Sequence, residues 1–123
     1  MDDLTQIFNA LKPLLQAYVP PLTAKMDDDA HFDLWSIKDV KIYGRQRKEV
    51  YLAGLVILKS FVGFYYMPIY AHTELKSVLA PELIKLLKGK SCFHIKKLDG
   101  ALPGQIRAAL EIGYKFYQQN DWI

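Results

Sequence analysis

A single cysteine, Cys92, stands in the whole chain, which excludes an internal disulfide and a cysteine-based zinc cluster. The first residues, Met1-Asp2-Asp3, carry neither the basic stretch nor the apolar core of a secretory signal. A soluble protein in a reducing, cytoplasmic setting is therefore expected, with no membrane partner. No unbroken apolar run reaches the length of a membrane span. In the most apolar stretch, residues 50–70, Lys59-Ser60 falls at the midpoint and Pro68 near the end. Nor does any stretch match a signature that names a reaction, so a non-enzymatic role is expected.

What is present is an ordinary globular composition, 51% hydrophobic and 24% charged. At 123 residues the chain fits one domain, residues 1–123, able to bury roughly two-thirds of its unfolded surface. The charge is unevenly placed. The first forty residues carry seven acids against three bases, and the remainder six acids against thirteen bases. Such asymmetry can mark a surface for an anionic partner, although a mixed solvated surface reads the same way.

Residues 50–70 read as a hairpin because Val, Ile, Phe and Tyr dominate them. With Lys59-Ser60 as the turn, Leu58 faces Phe61, Val56 faces Gly63 and Gly54 faces Tyr65. Alternation then puts Leu52, Gly54, Val56, Leu58, Phe61, Gly63, Tyr65 and Met67 on one face. Tyr51, Ala53, Leu55, Ile57, Val62, Phe64 and Tyr66 fall on the other. Both faces are apolar, so the strands are expected inside a sheet. Glycine within a strand often marks close approach by a ligand or another backbone. The terminal helices suit the smooth aliphatic face. That leaves Leu52, Val56, Phe61, Tyr65 and Met67 around a hollow at Gly54 and Gly63, a surface for a second copy of the chain or a small apolar ligand. The competing reading is that residues 73–88 fold over it.

Around the hairpin the periodicity is helical at both ends. Leu4, Ile7, Phe8, Leu11, Leu14, Leu15 and Tyr18 form one stripe, with Asp2 and Asp3 before it as helix-starting carboxylates and Pro13 predicting a kink or break. Ile106, Ala109, Leu110, Gly113, Phe116 and Tyr117 form another, opened by Pro103 and running to about Gln119. Residues 32–38 and 91–98 alternate as strands. Residues 81–89 read as a middle helix, with proline at its start and glycine past its end. An α+β fold follows: about five mostly antiparallel strands flanked by N- and C-terminal helices, with a middle helical segment.

Three clusters carry chemistry. Asp27, Asp28, Asp29, His31 and Asp33 could ligate a hard cation such as iron, although they lack the alternation and glycine of an EF-hand loop. An exposed acidic turn has the same composition. Residues 41–48 hold four basic residues and Tyr43, a composition that grips a nucleic-acid backbone or simply tips a hairpin. Cys92 and His94 share one strand face but stand about 7 Å apart along it, with no third partner identifiable.

Lys59-Ser60-Phe61-Val62-Gly63-Phe64-Tyr65 followed by Met67-Pro68, then Gly89-Lys90-Ser91-Cys92-Phe93-His94-Ile95, Leu98-Asp99 and Leu102-Pro103, resemble the bacterial YdhG-like family of small domains of unknown function. That family has been linked to frataxin-like iron chaperones. The resemblance spans residues 50–117 and implies an antiparallel sheet with terminal helices and a binding or chaperone-like role that includes iron handling. Where the family has a Gly-Met-Pro-aromatic segment, this chain has Ile37-Lys38-Asp39-Val40-Lys41-Ile42-Tyr43-Gly44. Lys59 and Lys90, positions of the two quoted motifs, are expected to form an anion-tolerant rim with Tyr65. The sequence thus favours a non-enzymatic binding module, with nucleic-acid binding through residues 41–48 as the alternative.

Overall fold

The computed structural model describes residues 3–123, so Asp2, expected at the first helix start, lies outside them. Helix α1 spans Asp3–Gln16 and buries Ile7, Phe8, Leu11 and Leu15, the spacing of its stripe. It runs through Pro13 as one element. Strand β1 (His31–Ser36) leads to a small two-stranded ribbon, β2 (Val40–Ile42) and β3 (Arg45–Arg47), joined at Tyr43-Gly44. Both turn residues have positive φ, 50° and 83°, the geometry of a tight two-residue hairpin turn. Strands β4 (Val50–Ile57) and β5 (Val62–Tyr66) form the central hairpin. After them come α2 (Pro68–Ala71), a 3₁₀ turn (Thr73–Ser77), α3 (Pro81–Ile84), β6 (Leu87–Lys88), β7 (Cys92–Ile95) and α4 (Leu102–Gln119).

The sheet order is β1-β4-β5-β7-β6, antiparallel throughout. The fold is α+β, a five-stranded antiparallel sheet with helices at both ends of the chain. Gly54 pairs with Tyr65 and Val56 with Gly63, and the Leu58 amide donates to the Phe61 carbonyl, which is the expected register. Phe32, Leu34, Ala53, Leu55, Val62, Phe64, Tyr66, Phe93 and Ile95 form one buried face and join α1 and α4 in one hydrophobic cluster.

One irregularity reorganises the start of β4. Leu34 pairs with Ala53 but Trp35 pairs with Tyr51, leaving Leu52 as the extra residue of a β-bulge. Alternation therefore slips by one. Leu52 turns into the core, fully buried, instead of standing on the glycine-bearing face. Tyr51 crosses over and packs on Trp35, ring centroids 4.9 Å apart.

The middle segment also departs from expectation. The helix expected over 81–89 stops at Ile84. Leu87-Lys88 instead pair with β7 as an edge strand, and the Leu86 carbonyl accepts the His94 amide. Gly89, with φ of 79°, makes the turn between the two strands. Leu79 and Leu83 join the core cluster, and α3 packs on α4, so this segment thickens the helical layer. Helices and core thus occupy one side of the sheet.

Candidate functional site

The other side of the sheet carries Trp35, Tyr51, Val56, Phe61, Tyr65, Cys92 and His94, all of them half-buried. The hollow expected at Gly54 and Gly63 is filled from within. A methyl group on Gly54 would lie 2.1 Å from the Tyr51 hydroxyl oxygen, so the ring that the bulge turned outward lies over this glycine. At Gly63 it would meet Tyr65 Cε2 at 3.2 Å, Leu58 Cδ1 at 3.3 Å and Cys92 Sγ at 3.4 Å. Phe61 stacks on His94 with centroids 3.7 Å apart. What remains is a paved aromatic surface.

Cys92 and His94 share this face, as their spacing implies, but each has a different neighbour. Burial pushes the Cys92 thiol above its ordinary value, only partly opposed by the Tyr65 hydroxyl donating to it. Burial likewise raises Tyr65, with Cys92 adding to the effect. A nucleophilic cysteine requires the opposite shift.

The paved face ends in a cleft that no sequence pattern announced. It encloses about 240 Å³ between the bulged end of β4, the β2–β3 ribbon, α2 and the chain's last residues. Trp35, Tyr43, Tyr51, Tyr70, Tyr117 and Trp122 supply its aromatic walls. Met67 belongs to this cleft rather than to a hollow over the glycines, because its amide closes on the Leu52 carbonyl at 3.0 Å and starts α2. Tyr117 and Trp122 are held edge to face at 5.1 Å, and the Tyr117 hydroxyl donates to the Tyr51 carbonyl at 2.7 Å. Tyr43, 76% exposed, reaches from the ribbon turn to donate to the Ala71 carbonyl at 2.6 Å, tying the ribbon to α2. Arg47 and Glu49 add charge at the wall, and Glu49 is paired with Lys25 at 2.6 Å. Lys25 Nζ also lies 4.3 Å from the Trp35 ring centre. The indole Nε1–H of Trp35 is buried without a hydrogen-bond partner.

The five acidic-cluster residues serve separate local ends. Asp27 pairs with Lys12 at 2.8 Å, and Lys12 also donates to the Asp28 carbonyl, stapling the loop to α1. Asp28 Oδ1 accepts the Ala30 amide. Asp33, only 6% exposed, accepts the Lys25 and Met26 amides at 2.7 and 2.8 Å and so holds that turn. Asp29 is exposed and His31 half-buried on β1. Among the described residues no three His, Cys, Asp or Glu side chains converge on one point.

The anion rim is not one rim. Lys59 sits in the β4–β5 turn at one end of β5, and Lys90 in the β6–β7 turn at the other, beside the Tyr66–Ser91 backbone bond. Antiparallel pairing of β5 with both neighbours puts the two turns at opposite ends of the sheet. Lys90 instead lies over the Tyr70 ring at 5.7 Å, next to the aromatic cleft. The basic residues split likewise: Arg47 lines that cleft, whereas Lys85, Lys88, Lys96 and Lys97 line another of about 340 Å³ with Glu82 and Asp99.

Comparison with models of known families, with curated proteins and with solved structures returned no match. Among the described residues, no helix is long and apolar enough to cross a membrane.

Proposed function

We propose that this protein is a non-catalytic binding module that takes a small, ring-bearing apolar ligand in the aromatic cleft at the bulged end of its open sheet face. The observation that carries this reading is the convergence of Trp35, Tyr43, Tyr51, Tyr70, Tyr117 and Trp122 on one concavity of about 240 Å³. A concave, mainly apolar site with a few polar groups is the usual form of a small-molecule pocket. The raised Cys92 thiol and the His94 ring stacked on Phe61 support binding over nucleophilic chemistry. A second copy of the chain seated on the same face is the competing occupant, and iron handling, the role raised by the resemblance, would need a site elsewhere than this cleft.

A second reading, nucleic-acid binding, draws on the four lysines of the larger cleft, since clustered lysines neutralise phosphates. Calorimetric titration with indole separates the two. Saturable binding is expected, weakened about tenfold by Tyr70→Ala, because an aromatic pair contributes about 0.5–1.5 kcal/mol beyond its area burial. Tyr70 is 54% exposed, so its truncation spares the core. Silence towards indole, together with salt-sensitive retention on single-stranded DNA, would replace the first reading with the second.

A further inference from the structure

The polar groups at the cleft are unbalanced in a way that selects among ring-bearing ligands. The one carboxylate in its wall, Glu49, is already neutralised by Lys25 at 2.6 Å. Arg47, also in the wall, makes no ion pair among the described residues. Lys90 stands over Tyr70 at the edge, and among the described residues the one buried side-chain polar atom without a partner, Trp35 Nε1–H, is again a donor. Among the described residues the cleft therefore holds one unpaired cation, with a second at its edge, and no unpaired carboxylate.

Resting on the binding reading above, we propose that the ligand is an aromatic acid of one or two fused rings whose carboxylate is received by Arg47. The volume sets the size, since about 240 Å³ lies just below the roughly 300–1,000 Å³ of sites for larger organic ligands. The walls set the shape. Trp35 and Tyr51 lie together on the sheet side, and Tyr43 and Tyr70 stand exposed on the outer side, so a flat ring finds aromatic faces to pack against. The charge sets the head group, because a guanidinium fork matches a carboxylate with two parallel hydrogen bonds. A cationic ring would meet Arg47 and Lys90 and find no free carboxylate in return.

Three probes with one ring system and different charge test this: indole-3-acetate, neutral indole and cationic tryptamine, titrated calorimetrically into the full chain at low salt. Indole-3-acetate is expected to bind at least about tenfold more tightly than indole, as a hydrogen bond to a charged group warrants, with tryptamine weakest. Arg47→Gln, at an exposed residue, should erase the advantage of the acid over indole. Lys90→Gln should reduce that advantage less. If indole-3-acetate and indole bind equally, or tryptamine binds best, the acid assignment falls while the cleft stands as a ring-binding site. If no probe binds, both fall. If the acid keeps its advantage in Arg47→Gln, the role given to Arg47 is wrong.

Discussion

Phe64 and Tyr65 are consecutive residues of β5, and they live in different solvents. Phe64 is fully buried between Phe93 and Tyr66, under the helical layer, whereas Tyr65 lies half-buried on the open face beside Gly63 and Cys92. The first face is built by exclusion of water, with branched aliphatic and phenyl side chains interlocked across four strands. The second is paved by rings lying over glycines, a surface that stays apolar without being sealed. Stability should reside on the first face and recognition on the second.

The sharpest way to break this contrast is to truncate both neighbours. Phe64→Ala should cost about 3–5 kcal/mol, the usual range for a buried phenyl. Tyr65→Ala should cost about 1 kcal/mol or less, since only part of its contact area is lost. Urea midpoints measured under the same conditions decide it. Equal losses would mean that the open face is as structural as the covered one.

Alkaline pH sharpens the same contrast through the tyrosines. Burial raises Tyr66 and Tyr117 far above their ordinary 10.0, with the Gly113 backbone partly opposing it at Tyr66. Burial also raises Tyr51, which the bulge turned outward. Tyr18 is pushed up to about 12, first by burial and then by its bond to Glu111. A raised folded-state value keeps its full stabilising contribution below pH 10 and loses it as pH climbs, because the unfolded chain ionises first. Stability should hold level up to about pH 10 and then fall. At pH 11 the loss should be about 1.4 kcal/mol for each of the sealed hydroxyls of Tyr66 and Tyr117. Phenolate absorbance should lag until unfolding. Full ionisation of all eight tyrosines while the fold persists would show that these hydroxyls are not sealed.

Much of this division was legible in the residues. The hairpin register followed from two turn residues and strict alternation, and the aliphatic face found the helices because its pattern left them no better place. What alternation cannot reveal is an interruption of itself. The extra residue at Leu52 is a matter of pairing with β1, a strand some twenty positions earlier, and it reversed the faces of Leu52 and Tyr51 together. The same limit hid the cleft. Trp35, Tyr43, Tyr51, Tyr70 and Trp122 come from five separate segments, each with an ordinary local reading as strand, turn or terminus. Local propensity likewise favoured helix over 81–89, where tertiary pairing with β7 took Leu87-Lys88 as strand. Only the unusual density of aromatic residues, eight tyrosines and two tryptophans, hinted at a surface of this kind.

The two glycines of the open face provide the finest distinction, because their neighbours differ in how far they can yield. A methyl on Gly63 meets only side-chain atoms at 3.2 to 3.4 Å, which shift by a few tenths of an ångström. Alanine there also removes the entropic penalty of glycine in a strand, so Gly63→Ala should change stability by less than about 0.5 kcal/mol. A methyl on Gly54 displaces the Tyr51 hydroxyl outright and presses on the Phe32 carbonyl at 3.2 Å, a backbone atom fixed by the β1–β4 ladder. Gly54→Ala should therefore cost about 1–2 kcal/mol, as overpacking does. It should also weaken ring binding, because Tyr51 is both the cover of Gly54 and a wall of the cleft. Measured together, the two alanine variants should differ in indole affinity even after their stabilities are taken into account. If Gly54→Ala binds as the parent does, the Tyr51 ring is not a wall that the ligand uses, and the open face and the cleft are separate features of the sheet.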